Sequence, residues 1–259
     1  MPALQTIPAD LAEAAAAALS RLRAKNPRVH CITNAVAQHF TANVLLAAGA
    51  IPSMTMAPEE VSEFVARADA LLINLGTFDR ERRAAAERAI ATAAEAGRPW
   101  VLDPVFVDRS LPRAVFAKTL AAEKPTVVRL NTPEFSALFD AVPEDVALRK
   151  VAHNTAGVIA LTGATDHVTD GTRMLRIANG DPLMGRVTAM GCAGAALVAA
   201  CLAVEPDRLT ATAAALLAFA VAGEVAAGRA HGPGSFAVEI VDALYGLDRE
   251  TLRARARVT

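Results

Sequence analysis

Short apolar runs alternate with longer segments of helical character along most of the chain. The apolar runs predict strands at residues 29–34, 50–54, 70–75, 99–102, 127–130, 158–161 and 168–170. Helices are predicted between them, after a first amphipathic helix within residues 1–29, at residues 40–50, 58–68, 80–96, 111–123 and 133–139. Strands that alternate with helices are typical of parallel βαβ units. The sequence therefore predicts an α/β sandwich with a mostly parallel central sheet.

The stretch at residues 184–202 combines several glycines, two cysteines and a long alanine-rich segment. Its apolar lead-in predicts a strand or turn that feeds a helix, and Gly191 and Gly194 leave room there for a ligand. The first free N–H groups of a helix carry partial positive charge, so this turn could hold a phosphate or another anion. Cys192 would stand at the mouth of that site, where a helix N-terminus favours the thiolate. The alternative is a buried cysteine in a packing turn, and this stretch alone supports both interpretations equally.

Composition and charge narrow the class of protein. The 259 residues suffice for one large α/β domain or two small ones, and no segment has the composition of a linker, so we expect a single domain over residues 1–259. With 26 Lys and Arg against 27 Asp and Glu, no charge excess indicates binding of nucleic acid or of an anionic membrane. Three cysteines without metal-ligand spacing favour a reducing compartment, and we expect the cytoplasm.

Two further segments bear on a membrane or secretory role. Residues 209–223 are apolar but shorter than the roughly 20 residues that a bilayer span needs, and we predict a buried helix there. The N-terminus has no basic region followed by an apolar core, which favours the amphipathic helix over a signal peptide. The sequence therefore predicts no membrane partner.

The residues just beyond the predicted strands are the candidates for a functional site. In open parallel sheets, ligands bind outside the carboxyl ends of the strands. The residues in these positions are Asn34, Met54, Gly76, Asp103, Arg129, Asn131, Thr162, Gly163 and the turn at Cys192.

Several of these candidates have two interpretations. Asp103, followed by a proline, could hold Mg²⁺ through water or could cap a turn. Asn131 and Glu134 have the spacing of a capping box, which the residues alone favour, but they could also organise water around hydrated Mg²⁺. Arg129 is either a fork for phosphate oxygens or a surface charge, and Thr162 could meet a nucleotide phosphate. No Walker A, G-x-G-x-x-G, H-E-x-x-H or C-x-x-C motif is present.

A series of motifs follows in order over nearly the whole chain: VHCITNAVAQHFTANVLLAAGAIPSMTMAPEEV, LLINLGTF, VLDPV, R-x-N-x-x-E, LTGATDHVTDG and GPGSF. In order and spacing they resemble the hydroxyethylthiazole kinases of thiamin salvage, a family of the ribokinase-like superfamily. The resemblance implies a ribokinase-like three-layer α/β/α sandwich. It also implies ATP- and Mg²⁺-dependent phosphorylation of the primary alcohol of 5-(2-hydroxyethyl)-4-methylthiazole, in a homotrimer whose thiazole pockets lie at subunit interfaces.

The resemblance assigns roles by position. Met54 and Ala189 match thiazole-contacting positions, and Asp103 and Glu134 match the acidic residues near Mg²⁺. The candidates for nucleotide binding are Arg129, Thr162 and Asn131.

Two residues at the start of the alanine-rich segment are the catalytic candidates. Cys192 matches the family's cysteine, which stands where the wider superfamily has a catalytic aspartate. The N–H groups near Gly191 would form an anion hole, which with Mg²⁺ would supply most of the charge stabilisation that phosphoryl transfer needs. Cys192 would help to accept the alcohol proton or would mainly shape the site.

The chain departs from the family pattern at three places, all at the candidate site. Phe106 stands where the family has a glycine after D-P-V, and Leu130 replaces the glycine of R-G-N. The family's G-(T/A)-G-C becomes Ala189, Met190, Gly191 and Cys192. A Cβ at these positions should narrow or reshape the pocket if the backbone needs a positive φ or a close approach.

Three hypotheses follow from these observations. The leading one is a kinase that phosphorylates the thiazole alcohol, with that small molecule and ATP as partners. The second is a kinase for another small hydroxymethyl or hydroxyethyl compound, as the altered glycines would allow. The third is a nucleotide- or thiazole-binding protein that has lost catalysis, which the joint presence of Asp103, Glu134 and Cys192 disfavours.

Overall fold

The computed structural model describes residues 10–155 and 157–259, and the eight strands found there form one sheet. The strands are β1 (Arg28–Ile32), β2 (Ile51–Ser53), β3 (Ala70–Asn74), β4 (Trp100–Asp103), β5 (Val127–Asn131), β6 (Val158–Thr162), β7 (Asp166–Thr169) and β8 (Met174–Ile177). Their order is β2-β1-β3-β4-β5-β6-β7-β8. The six strands β1 to β6 are parallel, and β7 and β8 extend the sheet as antiparallel neighbours.

Helices cover both faces of this sheet. One face carries α1 (Leu11–Lys25), α2 (Gln38–Ala48), α8 (Met190–Leu202), α9 (Arg208–Ala227), α10 (Pro233–Gly246) and α11 (Arg249–Arg255). The other carries α3 (Val61–Ala66), α4 (Arg80–Glu95), α5 (Leu111–Ala122), α6 (Thr132–Phe139) and α7 (Asp145–Thr155). Alternate residues of a strand serve the two cores: Leu72 packs on the α8 side and Leu71 on the α4 side. The predicted three-layer α/β/α sandwich is therefore confirmed.

The alanine-rich segments are the core helices. Almost every residue of α8 and α9 is buried, and small side chains let the two helices approach closely. By length and composition, α9 is long and apolar enough to cross a membrane, but 89% of its most apolar window is buried within the fold. The buried helix predicted at residues 209–223 is therefore confirmed.

The structure changes several predicted boundaries. Of the strand predicted at residues 168–170, Val168 and Thr169 belong to an antiparallel strand, β7, and the next strand, β8, was not predicted. The signal for this hairpin was Asp170-Gly171: the Asp170 carboxylate accepts from two backbone N–H groups, and Gly171 has φ 93°. The helix predicted at residues 58–68 is only α3, and the lead-in to α8 is a 3₁₀ helix, Pro182–Arg186, followed by a turn. The first nine residues of the predicted N-terminal helix lie outside the described residues, whereas α1 confirms the rest.

The last residues of the chain pair with the outer side of β8. Backbone hydrogen bonds join Arg176 and Thr259 in both directions, at 2.7 Å and 3.0 Å, and Ala178 N–H donates to the Arg257 carbonyl at 2.9 Å. The Glu224 carboxylate on α9 anchors this tail by accepting from the Arg257 guanidinium at 2.5 Å. The tail therefore covers the β8 edge of the sheet.

Candidate active site

Polar residues from different strands meet at the carboxyl edge of the sheet. Asn74 at the end of β3 and Asp103 at the end of β4 are register partners, and so are Asn131 and Thr162 at the ends of β5 and β6. Helix α8 packs against β3 and β4, which places its first turn, with Cys192, beside Asn74 and Asp103. The structure therefore brings four of the predicted candidates together at this edge: Asn34, Asp103, Arg129 and Cys192.

Cys192 lies buried under two side-chain amides. Nδ2 of Asn34 and Nδ2 of Asn74 both donate to its Sγ, at 3.2 Å and 3.3 Å. Burial, and secondarily the charge of Asp103, raises the pKa of the Cys192 thiol to about 12. The prediction that the helix terminus favours a thiolate is therefore wrong. Burial of a charged sulfur costs more free energy than the helix terminus and the two amide donors contribute to stabilising it. Cys192 is a protonated thiol at neutral pH.

Asp103 is a fully buried carboxyl group. Its Oδ2 accepts from Asn74 Nδ2 at 2.6 Å, and its Oδ1 lies 3.7 Å from Nη1 of Arg129. Burial raises the pKa of Asp103 to about 6, against the opposing effect of the Arg129 charge, and the nearby Glu134 charge raises it further. Of the two sequence interpretations, the turn cap is not what forms, since the Asp103 side chain accepts from another side chain and pairs with an arginine.

Arg129 is an inward-facing cation and not a surface charge. Its side chain is only 17% exposed, and its guanidinium lies directly over Gly191 at the start of α8. A Cβ at Gly191 would stand 2.7 Å from Nη1 of Arg129, closer than any real contact. The glycine is therefore what allows a guanidinium to reach the first turn of the helix.

Asn131 and Glu134 form the capping box that their spacing predicts. Asn131 Oδ1 accepts from the Glu134 N–H at 3.0 Å, and Glu134 Oε2 accepts from the Asn131 N–H at 3.0 Å. The other carboxylate oxygen, Oε1, accepts from the backbone N–H of Phe106 at 3.1 Å. Glu134 therefore ties the loop after β4 to the start of α6, close enough to Asp103 to affect its charge.

Three buried polar atoms of this cluster have no hydrogen-bond partner within the described structure: Asn34 Oδ1, Asp103 Oδ1 and Arg129 Nε. Buried polar atoms are almost always paired in native proteins, so a concentration of unpaired ones indicates a polar ligand. In the described residues, no three His, Cys, Asp or Glu side chains stand close enough together to enclose a metal ion. The cluster therefore fits a polar ligand, and a metal ion bound with that ligand would need other oxygens, from water or from the ligand, to complete its coordination.

Comparison with known proteins places the chain in a family. The sequence profile described as the hydroxyethylthiazole kinase family matches residues 19–250. The chain belongs to this family. The hydroxyethylthiazole kinase of Granulibacter bethesdensis is 49% identical over 252 residues, which cover 92% of each chain. The probable hydroxyethylthiazole kinase of Agrobacterium fabrum is 45% identical over 94% of each chain.

Solved structures agree with this assignment. The hydroxyethylthiazole kinase of Pyrococcus horikoshii OT3 superposes with a TM-score of 0.91 and 38% identity, over 95% of this chain and 98% of that one. A ribokinase-like superfamily protein of Enterococcus faecalis V583 gives a TM-score of 0.66 at 14% identity, over 93% and 90% of the two chains. The second likeness concerns the fold alone, and it confirms that the hydroxyethylthiazole kinase family member described here has the ribokinase-like fold.

Two family positions lie outside the buried cluster. Met54 follows β2 at the edge of the sheet, partly buried against the core on the α8 side. Strands β1 and β3 stand between it and Asp103 on β4. Thr162 ends β6 on the other side, where its hydroxyl donates to the Leu130 carbonyl at 3.4 Å. Neither residue belongs to the hydrogen-bonded group around Cys192, and their assignments to thiazole and nucleotide stay predictions.

The backbone at two altered family glycines is left-handed. Ala189 has φ 73° at the start of α8, and Phe106 has φ 61° in the loop after β4. Both positions therefore have the positive φ that favours glycine, which is one of the two conditions under which a side chain there was expected to reshape the pocket. Phe106 is 49% exposed, so its ring stands at the surface of that loop. Leu130 differs, because it is fully buried in the core on the α4 side of the sheet and adds no bulk to the α8 side.

Sequence reasoning missed Asn74 and Arg113. Asn74 was counted within an apolar strand, although a lone amide in the run ALLIN is itself a signal for a buried polar contact. Arg113 on α5 donates through Nη1 to the carbonyls of Leu75, Gly76 and Val105, the last two at 3.0 Å and 3.1 Å. It joins the loops after β3 and β4, and no local sequence pattern indicates that role.

Proposed function

We propose that this protein is an ATP-dependent kinase that phosphorylates the hydroxyethyl group of 5-(2-hydroxyethyl)-4-methylthiazole. The observation that supports the proposal most is the buried group of Asp103, Arg129 and Cys192 at the first turn of α8, in a chain that belongs to the hydroxyethylthiazole kinase family. Its curated relatives are named for this substrate and for a kinase activity.

The first turn of α8 would stabilise the transferred phosphoryl group. The first N–H groups of a helix have no partner within it, and in α8 these belong to Met190, Gly191 and Cys192. Arg129 adds a full positive charge directly above Gly191. Phosphoryl transfer passes through a loose transition state with negative charge on the equatorial oxygens, so donors and cations fixed in advance supply most of the catalysis.

Asp103 fits a role near Mg²⁺. Its Oδ1 is buried and lacks a hydrogen-bond partner in the described structure, and carboxylate oxygens suit this cation. Glu134 has each oxygen engaged by one backbone N–H group, so it would act through water or its remaining lone pairs. When bound, Mg²⁺ would neutralise charge on the phosphate oxygens. Asp103 would orient its hydrated shell, and Arg129 would keep Asp103 ionised.

Cys192 would position the alcohol and would not act as a strong base. A thiol with a pKa of about 12 holds its proton at neutral pH. A loose transition state demands little removal of the alcohol proton before the phosphoryl group moves, so a weak acceptor suffices. The Sγ would therefore fix where the hydroxyl oxygen lies.

We further propose a homotrimer with thiazole pockets completed at subunit interfaces. Met54 supports this, because it lies just beyond β2 at the edge of the sheet, away from Asp103 and only partly buried within one copy. Sedimentation of the purified protein measures the assembly, and a mass three times the 26.9 kDa of one chain is expected. A monomer at micromolar concentration would contradict this part of the proposal.

The decisive experiment is mass-spectrometric detection of thiazole phosphate after incubation with ATP and Mg²⁺, with the Cys192→Ala variant as the control. Product from the wild type that falls sharply in the variant supports the proposal. Absence of product while ATP still binds would contradict it.

A second candidate is a kinase for a different small hydroxymethyl or hydroxyethyl compound. The left-handed Ala189 and Phe106 favour it, since each places a side chain where the family pattern has none. Competition among such alcohols for one limited pool of ATP tests it. A compound that exceeds the thiazole alcohol in kcat/KM would establish the second candidate.

A further inference from the structure

The amide of Asn74 has one orientation that satisfies all its neighbours. Its Oδ1 accepts from the Gly76 N–H at 2.9 Å, so its Nδ2 must face the cluster. The two hydrogens of that nitrogen then serve Asp103 Oδ2 at 2.6 Å and Cys192 Sγ at 3.3 Å. Asn74 therefore links the carboxyl group to the thiol.

Asn34 approaches the same sulfur from the loop after β1. Its Nδ2 donates to Cys192 Sγ at 3.2 Å, and its side chain packs against Gly76. A Cβ at Gly76 would lie 2.5 Å from both Cβ and Nδ2 of Asn34, so this approach requires a glycine. The loop after β3 is therefore shaped to admit the Asn34 amide.

Two amide donors on one sulfur restrict where the thiol can lie. Since Nδ2 of Asn34 and Nδ2 of Asn74 occupy the accepting side of Sγ, its S–H must point elsewhere, away from both amides. We propose that Asn34 is a positioning residue that acts through Cys192, with Asn74 as the second member of the pair. The role rests on the proposed kinase activity and consists of donation by Nδ2, not of acceptance by Oδ1.

Paired substitutions separate these two functions of the amide. Asn34→Asp keeps the shape and an acceptor oxygen but removes the donor, whereas Asn34→Ala removes both. We expect both variants to lower kcat about tenfold, the equivalent of one lost hydrogen bond, with the KM for ATP unchanged. Asn154→Ala, at an exposed asparagine on α7, is the matched control and should change neither value. An Asn34→Asp variant as active as the wild type would overturn the proposal.

A double-mutant cycle tests whether Asn34 acts through the sulfur. In the Cys192→Ala background, Asn34→Ala should lower kcat less than twofold further, because the atom that it positions is absent. Equal losses in both backgrounds would overturn the proposal. Long incubations with detection of the phosphate product keep the low rates measurable.

A spectroscopic test does not depend on activity. The infrared difference spectrum between wild type and Cys192→Ala isolates the S–H stretching band of this thiol, whose frequency depends on the hydrogen bonds of the sulfur. Asn34→Ala and Asn34→Asp should both shift that band, and Asn154→Ala should not. An unshifted band would overturn the proposal even in an active enzyme. A wild type that makes no thiazole phosphate, with the shifts observed, would instead contradict the proposed function alone.

Discussion

Replacing Ala189 by glycine measures the cost of the left-handed backbone at the start of α8. Ala189 has φ 73° and ψ −1°, a conformation that costs an L-residue about 1–2 kcal/mol. Glycine removes this cost, but its greater backbone entropy in the unfolded chain lowers the stability of the folded state by about 0.5–1 kcal/mol. The first effect is the larger, so Ala189→Gly should raise the free energy of unfolding by up to about 1 kcal/mol, or about 3 °C in Tm.

The assay is thermal unfolding of Ala189→Gly beside Ala193→Gly. Ala193 lies one turn further along α8, fully buried and in helical conformation. The same substitution there loses helix propensity and a buried methyl group, which together cost about 2 kcal/mol. The two variants should therefore shift Tm in opposite directions. An equal loss of stability in both would refute the reasoning about φ.

The activity of the same variant tests the shape of the pocket. If the Ala189 Cβ narrows the thiazole side, Ala189→Gly should raise kcat/KM for the thiazole alcohol, and adding Met190→Thr should raise it further. Met190 also packs in the core, so the single variant is the cleaner measurement. An unchanged or lower kcat/KM in Ala189→Gly would count against a reshaped pocket.

Three further predictions concern the cluster and the edge of the sheet. Cys192→Ala and Asp103→Ala should each lower phosphoryl transfer far more than ATP binding by calorimetry, and equal losses in both would speak against a catalytic role. Gly191→Ala should displace the Arg129 guanidinium and raise the KM for ATP several-fold with little change in Tm, since only the far end of a flexible side chain must move. Burial lowers the pKa of His30 from 6.5 to about 4, so the unfolded state binds its proton first and stability is lost as pH falls through that window. The unfolding free energy of the wild type, minus that of His30→Gln, should therefore drop by up to about 3 kcal/mol between pH 7 and pH 4. Denaturant titrations in which this difference stays constant over that range would disprove the prediction.

Much of the fold can be predicted from local sequence pattern. Buried parallel strands are short runs of apolar residues, whereas the helices between them have apolar residues spaced three or four positions apart. The strands from β1 to β6 lie close to their predicted positions for this reason. The hairpin of β7 and β8 was not predicted, because Asp170 was taken as the last residue of a strand and not as the start of a turn between two strands. The capping box at Asn131 and Glu134 was predictable, because three residues of spacing determine it.

The electrostatics of the candidate site could not be obtained from the sequence. Whether a cysteine at a helix start is a thiolate depends on how deeply the tertiary structure buries it, and for Cys192 burial prevails. The link from Asn34 to Cys192 joins residues that are 158 positions apart, so no local pattern reports it. Likewise, Arg129 was ambiguous until Gly191 was seen to lie beneath it.

The tail that covers β8 also limits how copies of this chain can associate. A sheet with two open edges can add strands without end, which is how fibres grow, whereas a sheet with one open edge stops after a single pairing. In the described residues, β8 already has its outer backbone groups bonded to Arg257 and Thr259, while β2 forms the other edge. Displacement of the tail from β8 would therefore do more than loosen a terminus, because it would give the sheet a second open edge and make polymerisation geometrically possible.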